Sequence, residues 1–162
     1  MEKDEKEIKE LEDDYSKLKS KYDLPEFEKL CEDFDVEKLV EKDTMFLLRN
    51  IRRTINEKLA AYINLFESLI NPSSPPIFVF SILRGLSTED KERMREIYKK
   101  LSRTQLQVMK LDVQYAETLE AKFISSSFKL WQSIKPEILE IVKSFERNFE
   151  KDNEAKKSTY FD

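Results

Sequence analysis

The stretch "TMFLLRNIRRTINEKLAAYINLFESLI", residues 44–70, carries apolar side chains at alternating spacings of three and four. Its apolar positions are Leu48, Ile51, Ile55, Leu59, Tyr62, Phe66 and Leu69. This spacing places them on one face of an α-helix. At a rise of about 1.5 Å per residue, the helix would be about 40 Å long. An apolar stripe of that length predicts a long helix that packs against other helices.

A second helical pattern follows the proline-rich break "NPSSPP" and predicts a partner for the first. Ser87 with an acid three residues later is typical of a helix N-terminus, and the apolar pattern continues from there. The three serines at 125–127 are the expected position of a bend. Because these patterns are all helical, the predicted fold is all-α. Short connections return a chain beside the preceding helix, so neighbouring helices should be antiparallel. We expect an elongated antiparallel helical bundle built on a long helical hairpin of about residues 44–70 and 88–133.

The apolar run "IFVFSIL" between the two predicted arms begins at Ile77 and ends at Leu83. It is too short to span a bilayer and has no second strand to pair with, so it predicts a short buried helix that plugs the hairpin. Ser74 is the expected cap of this helix, and Gly85 is expected at its end. The alternative is an exposed segment that docks on a partner or dips into a membrane.

Both ends of the chain carry further helical patterns. Residues 1–22 predict an acidic, coiled-coil-like arm with apolar residues spaced by three and four. This candidate partner-binding stripe consists of Ile8, Leu11, Tyr15, Leu18 and Tyr22. Because it covers only about two heptads, we expect it to need a partner, either the body of its own chain or another copy. At the other end, Pro136 suits the first turn of a last helix. Residues 151–162 are expected to form a polar tail after a single domain of residues 1–150.

The residue types present exclude most catalytic chemistry. The chain has no histidine, one glycine and one cysteine, which removes imidazole bases, His-containing metal sites and glycine-rich phosphate loops. Cys31 is interpreted as a small buried apolar residue. Asp112, Glu117 and Glu120 are spread over too wide an angle of one helix to bind a single ion. We therefore predict that the protein is not an enzyme and has no metal site and no cofactor.

The start of the chain and its hydropathy favour a cytoplasmic protein. The N-terminal sequence "MEKDEKEIKE" lacks the basic start and the apolar run of a secretory signal. No stretch approaches the roughly 20 apolar residues that cross a membrane. A lone cysteine cannot form an internal disulfide and fits a reducing compartment. These observations predict a cytoplasmic location and no membrane span.

The net charge of −4 hides an uneven distribution along the chain. Residues 1–42 contain 16 acids and 9 bases, a net charge of −7, whereas residues 43–135 contain 10 acids and 15 bases, a net charge of +5. The candidate anion-binding residues of this basic middle are Arg49 and Arg53 on the first helix, and Lys99, Arg103 and Lys110 on the second. Clustered bases can bind phosphates. No aromatic residues interleave with them, which favours a solvated face instead.

Asp112 breaks the apolar pattern of the stretch "QVMKLDVQYAETL", residues 107–119. On a wheel of about 100° per residue, it falls in the middle of an apolar arc and should be partly buried. Arg52 falls inside the apolar arc of the other predicted helix. Because an unpaired buried charge is very costly, we hypothesise that the two form a buried polar pair, with Gln105 beside them. Such a pair would fix the register of the two helices or line a polar notch for a ligand.

The predicted function is that of a non-enzymatic protein-protein interaction or scaffolding protein. Amphipathic surface exceeds what a few modest helices can cover, and elongated bundles leave apolar surface free to associate, so we expect a protein partner and a homodimer. The alternative is a nucleic-acid-associated protein that uses the basic central hairpin. An enzyme or carrier that uses a polar notch in the bundle is the third possibility.

Overall fold

The computed structural model describes residues 2–41, 44–73 and 76–159, with the backbone alone at 2–4, 41, 44 and 155–159. Most of these residues are helical and none of them lies in a strand, which confirms the all-α prediction. The α-helices are α1 (Glu2–Lys21), α2 (Phe27–Phe34), α3 (Leu47–Ile70), α4 (Ile77–Arg84), α5 (Thr88–Val113) and α6 (Glu117–Thr159). Two 3₁₀-helices, Val36–Glu41 and Thr44–Phe46, lie between α2 and α3.

The helices form two compact units. Unit 1 contains Met1–Ala60 and Arg103–Trp131, and unit 2 contains Ala61–Ser102 and Gln132–Asp162. The three long helices α3, α5 and α6 each contribute residues to both units. The elongated shape and the single domain of residues 1–150 stay predictions.

The apolar stripe of α3 forms the core of both units, as its spacing predicts. In unit 1, Leu48, Ile51, Ile55 and Leu59 are buried. In unit 2, Phe66 and Leu69 continue the buried face. Tyr62, between them, is half-buried. Burial of the stripe removes its apolar surface from water, which is the main force that holds a long helix of this composition in place.

The N-terminal arm packs on its own chain in unit 1. Leu11 and Tyr15 are buried, and the Tyr15 hydroxyl donates a hydrogen bond of 2.7 Å to the Pro25 carbonyl. The Tyr15 ring also contacts Phe27 of α2, with ring centroids 5.4 Å apart. Of the two partners expected for the arm, its own body and another copy, the structure shows the first.

Helix α4 forms where the apolar run predicts it, but it is not a buried plug. Only Ser81 and Ile82 of this helix are buried, and Ile77 is 85% exposed. Gly85 ends the helix, as expected, while the predicted cap Ser74 lies outside the described residues. A short helix can bury only one face, and Ile77, Phe78 and Phe80 of α4 remain exposed among the described residues.

The position of the break between the last two long helices differs from the prediction. The chain leaves helical structure at residues 114–116, and the serines at 125–127 lie inside α6. These serines do not end the helix: Ser125 donates its hydroxyl proton to the Asp23 carbonyl, and Ser126 donates within the helix to the Phe123 carbonyl. The predicted arm of residues 88–133 is therefore two helices.

Helix α6 also continues through Pro136 and past residue 150, which corrects two further predictions. A proline inside a helix removes one backbone hydrogen bond, at a cost of about 3 kcal/mol. Buried Ile134, Ile138 and Ile141 lie on one face around it, and their packing outweighs that cost. The segment expected to be a polar tail is helical as far as Thr159.

Candidate interaction surface

Unit 2 carries an apolar groove beside α4. The groove has a volume of about 290 Å³ and is lined by Leu65, Leu69, Phe78, Val79, Ile82, Val142, Phe145, Glu146 and Phe149. Leu65 and Leu69 are on α3, the next three residues are on α4, and the last four are on α6. Glu146 is the one charged residue in this lining. The groove is thus a recess in which apolar side chains from three helices meet water.

Exposed apolar side chains surround the groove on the same helices. We call the following set of exposed residues of unit 2 the α4 patch: Leu65, Ile77, Phe78, Phe80, Leu139, Val142 and Phe149. The exposed fractions of Phe78, Phe80 and Phe149 are 59%, 49% and 39%. Since a phenylalanine side chain has roughly 200 Å² of surface, the three rings alone expose about 300 Å². Phe78 and Phe149 contact each other across the groove, with ring centroids 5.6 Å apart.

The amino-acid pattern explains why these residues are exposed. Leu139, Val142 and Phe149 lie three and seven residues apart and form a stripe on α6 beside its buried face. On α4, apolar residues occupy nearly every position, so one short helix presents them in all directions. The sequence identified α4 as either a buried plug or an exposed docking segment, and the exposure of its rings favours the second interpretation.

Unit 1 contains the ion pair that the sequence predicts between Arg52 and Asp112. Arg52 Nη2 lies 2.7 Å from Asp112 Oδ1 and donates a hydrogen bond to it. Arg52 is buried with 1% of its side chain exposed, whereas 55% of the Asp112 side chain is exposed. The predicted contact is therefore present, but the predicted burial of Asp112 is wrong. Asp112 lies one residue before the end of α5, so no following turn of that helix shields its side chain from water.

Glu120 is the buried partner of Arg52. This contact was not predicted from the sequence. Its Oε2 lies 2.7 Å from Arg52 Nε. The exposed fractions of the Arg52 and Glu120 side chains are 1% and 0%. The contact is an ion pair rather than a well-aligned hydrogen bond, because Arg52 Nε and both Glu120 oxygens have no hydrogen-bond partner among the described residues. A signal was present in the sequence: Glu120 continues the three-four spacing of Ile124, Ser127 and Trp131, all buried.

Burial has the largest effect on the ionisation of Glu120. Loss of solvation raises the pKa of the Glu120 carboxyl above its ordinary value, while the positive charges of Arg52 and Arg49 act in the opposite direction. Arg49 Nε is 3.8 Å from Glu120 Oε1. The Arg49 guanidinium also lies over the ring of Tyr115, 4.3 Å from its centroid, and this contact holds the segment between α5 and α6. The cluster joins three helices of unit 1 by charge.

The third predicted member of the polar pair lies elsewhere. The Gln105 amide donates a hydrogen bond of 2.9 Å to the Asn56 side-chain oxygen. This contact links α5 to α3 but does not include Arg52 or Asp112. The prediction that Gln105 joins the pair is wrong, because Gln105 lies about two helical turns before Asp112 on α5.

The stripe of the N-terminal arm, predicted to bind a partner, is used within unit 1. Leu11 and Tyr15 are buried, and Ile8, Leu18 and Tyr22 are partly covered. The Tyr22 hydroxyl donates a hydrogen bond of 2.5 Å to Glu117, and Lys21 forms an ion pair of 2.8 Å with the same carboxylate. These hydrogen bonds lower the pKa of Glu117. The two most buried residues of the stripe are not available to another protein.

The five candidate anion-binding residues do not share one environment. Arg49 faces Glu120 and two aromatic rings, and Lys99 forms an ion pair of 2.7 Å with Glu96. Arg53, Arg103 and Lys110 are exposed, and they have no ion-pair partner among the residues that the structure describes. The five residues therefore do not form one phosphate-binding site. Arg53, Arg103 and Lys110 are exposed and could each form an ion pair with an acidic group of another molecule.

Other chemical features of the chain are modest. Within the described ranges no group of three or more Asp, Glu or Cys side chains is placed to hold a metal ion. The described helices include none with the length and hydropathy needed to cross a bilayer. Cys31 is half-buried rather than buried, and loss of solvation together with Glu37 raises the pKa of its thiol to about 12. A thiol with so high a pKa is a poor nucleophile at neutral pH.

Comparison of the chain with protein-family models, with curated proteins and with solved structures finds no match.

Proposed function

We propose that this chain is a non-enzymatic interaction protein and that its α4 patch binds a second copy of the chain. The observation that supports this most directly is the exposure of Ile77 and three phenylalanines beside an apolar groove. Monomeric proteins rarely expose contiguous apolar patches larger than about 300–600 Å², and larger ones mark interaction surfaces. Three partly exposed rings already account for about 300 Å² of the α4 patch.

A second copy is the occupant that the form of the surface favours. A twofold-symmetric interface uses the same surface on both subunits, so that surface must be complementary to itself. The α4 patch combines a protruding part, Ile77 and Phe80 on α4, with a recess of about 290 Å³ between α3, α4 and α6. The protruding side chains of one copy would enter the groove of the other, and the reverse contact follows by symmetry.

The exposed surface is sufficient for a dimer of modest affinity. Two copies would bury about 600 Å² of phenylalanine surface, in addition to Ile77 and the aliphatic residues of the patch. Stable interfaces bury about 1,200–2,000 Å², and the cost of association absorbs part of the hydrophobic gain. We therefore expect a dimer that dissociates on dilution.

The charges near the α4 patch favour a protein over a membrane surface. Arg84 is the one charged residue of α4, and its guanidinium lies 3.9 Å from the Asp152 carboxylate. Glu146, which lines the groove, is exposed and forms no ion pair among the described residues. An acid beside an apolar surface repels anionic lipid headgroups. At the rim of a protein interface the same charge stays hydrated and costs little.

Sedimentation equilibrium over a range of protein concentrations tests this proposal. The wild-type chain should change from one to two copies per particle as its concentration rises from about 0.1 to about 100 μM. Ile77→Glu places a carboxylate in the interface and removes about 2 kcal/mol of apolar burial, which weakens the dimer at least about 25-fold. The mutated residue is exposed at the first turn of α4, where an acid is tolerated, so the monomer should keep its fold.

Leu106→Glu is the matched control, because Leu106 is an exposed apolar residue of α5 in unit 1. It adds the same charge without touching the α4 patch and should leave the dimer unchanged. A wild-type chain that is monomeric at about 100 μM would refute self-association. Binding of that monomer to vesicles containing anionic lipid, abolished by Ile77→Glu, would show instead that α4 inserts into a membrane surface.

A further inference from the structure

A second exposed apolar surface lies on α5 in unit 1. The groove beside it has a volume of about 420 Å³ and is lined by Met109, Lys110, Leu111, Val113, Gln114 and Leu119. Val113 is 90% exposed, and Leu106, Met109 and Leu119 are also exposed. We call this surface the α5 groove. These four residues are exposed in the part of the chain that the structure describes, whereas Val108 and Leu111 of α5 are buried.

The stripe on α5 has the spacing that another helix requires. Leu106, Met109 and Val113 are three and four residues apart, which places them within about 60° of one face. This is the spacing at which a helix inserts side chains between those of a neighbour. An amphipathic helix laid along α5 would contact these three residues and Leu119 at the end of the groove.

The charges beside the α5 groove favour an acidic partner. On the same wheel, Arg103 and Lys110 lie about 40–60° from Leu106 and form a basic edge along the stripe. Neither has an ion-pair partner among the described residues. The nearby acids are already neutralised: Asp112 accepts a hydrogen bond from Arg52, and Glu117 is paired with Lys21. The edge is therefore left with uncompensated positive charge.

We infer that the α5 groove binds an amphipathic helix of another protein that carries acidic residues along one side of its apolar face. Apolar contacts with Val113, Met109 and Leu119 would supply most of the affinity. Ion pairs with Arg103 and Lys110 would select acidic helices over basic ones and increase the rate of association. This surface and its partner are separate from the α4 patch, so the inference does not depend on the dimer.

A fluorescent peptide of three heptads is the probe. It has leucine at positions a and d and glutamate at the flanking positions, and the matched peptide has lysine in place of each glutamate. Fluorescence anisotropy at about 50 mM salt should give at least tenfold tighter binding of the glutamate peptide. Raising the salt to about 500 mM should remove most of this preference, because the charges are exposed and screened.

Three variants locate the binding. Val113→Gln should weaken the glutamate peptide about tenfold, because it removes exposed apolar surface and keeps a residue that is tolerated in helices. Lys110→Glu should abolish the preference between the two peptides, because the new acid offsets the remaining charge of Arg103. Ile77→Gln, which makes the same kind of change in the α4 patch, should have no effect.

The inference fails if both peptides bind equally at low salt, or if Val113→Gln leaves binding unchanged while the circular dichroism spectrum is that of the wild type. It also fails if a single-stranded oligonucleotide competes for the basic edge and binds more tightly than the glutamate peptide. That last result would support the nucleic-acid function that the basic middle of the sequence suggests. None of these outcomes changes the result of the sedimentation experiment that tests the dimer formed through the α4 patch.

Discussion

Arg52 forms ion pairs with Asp112 and Glu120, and Arg49 lies beside Glu120. Of these four residues, we expect Arg52 to be the one whose replacement destabilises the fold most. In Arg52→Met the guanidinium is lost, and Glu120, which has no exposed surface, faces a buried site without its nearest cation. Breaking a buried ion pair from one side costs about 3–5 kcal/mol. Arg49 remains 3.8 Å from the other Glu120 oxygen and offsets part of this loss. We therefore expect a loss of about 3 kcal/mol in the free energy of unfolding.

The same geometry predicts a small effect at Asp112. Although Asp112 is only 2.7 Å from Arg52, more than half of its side chain is exposed, and exposed ion pairs contribute about 0–1 kcal/mol. Asp112→Ala should thus cost less than about 1 kcal/mol. The sequence alone suggests a cost of about 3–5 kcal/mol for this change, because it predicts Asp112 to be buried. The structure transfers that large effect to the buried pair of Arg52 and Glu120.

A double substitution separates loss of a charge pair from loss of packing. Arg52→Met combined with Glu120→Leu leaves no buried charge and keeps a similar side-chain volume, so it should cost far less than Arg52→Met alone. Urea unfolding followed by circular dichroism measures each free energy, with equal m values required before the variants are compared. The reasoning is refuted if Arg52→Met costs under about 1 kcal/mol, or if the double variant is as unstable as the single one.

Two further predictions follow from the structure. Because burial raises the folded-state pKa of Glu120 above its unfolded value, the folded protein holds this proton more tightly, and stability should fall as pH rises through the interval between the two pKa values. Glu120→Gln should remove that part of the pH dependence, which urea unfolding at several pH values measures. Gly85→Ala should lower the melting temperature, because a Cβ there would lie 2.3 Å from Asn148 Cγ and 2.8 Å from its Cβ. A melting temperature equal to that of the wild type would contradict this contact.

The sequence by itself determined where most of the helices lie, because helix formation depends on apolar spacing that can be counted along the chain. The stripe of α3 is buried as predicted, and the Ser87 side chain caps α5, accepting a hydrogen bond of 3.0 Å from the Asp90 amide. Arg52 and Asp112 each interrupt the apolar face of a predicted helix, and their opposite charges predicted the contact that the structure contains. These inferences succeeded because each depends on local spacing or on the high cost of burying a lone charge.

Tertiary structure decided the features that depend on how helices pack. No glycine or proline marks the break at residues 114–116, whereas Pro136 lies inside a continuous helix. Asp112 comes one residue before the end of α5, so it lies at a helix end and not in the middle of a buried face. The break begins a new helix whose buried face includes Glu120, and Arg52 reaches both acids. Packing free energy, summed over many contacts, outweighs the local preference of any one residue.

The exposure of α4 also depended on packing rather than on sequence. Its run of apolar residues is compatible with a buried plug or a docking surface, because hydropathy measures the tendency to leave water and not the presence of a neighbour. The structure covers Ser81 and Ile82 and leaves Ile77, Phe78 and Phe80 in water. Only the arrangement of the surrounding helices shows which apolar residues of α4 are covered and which are exposed.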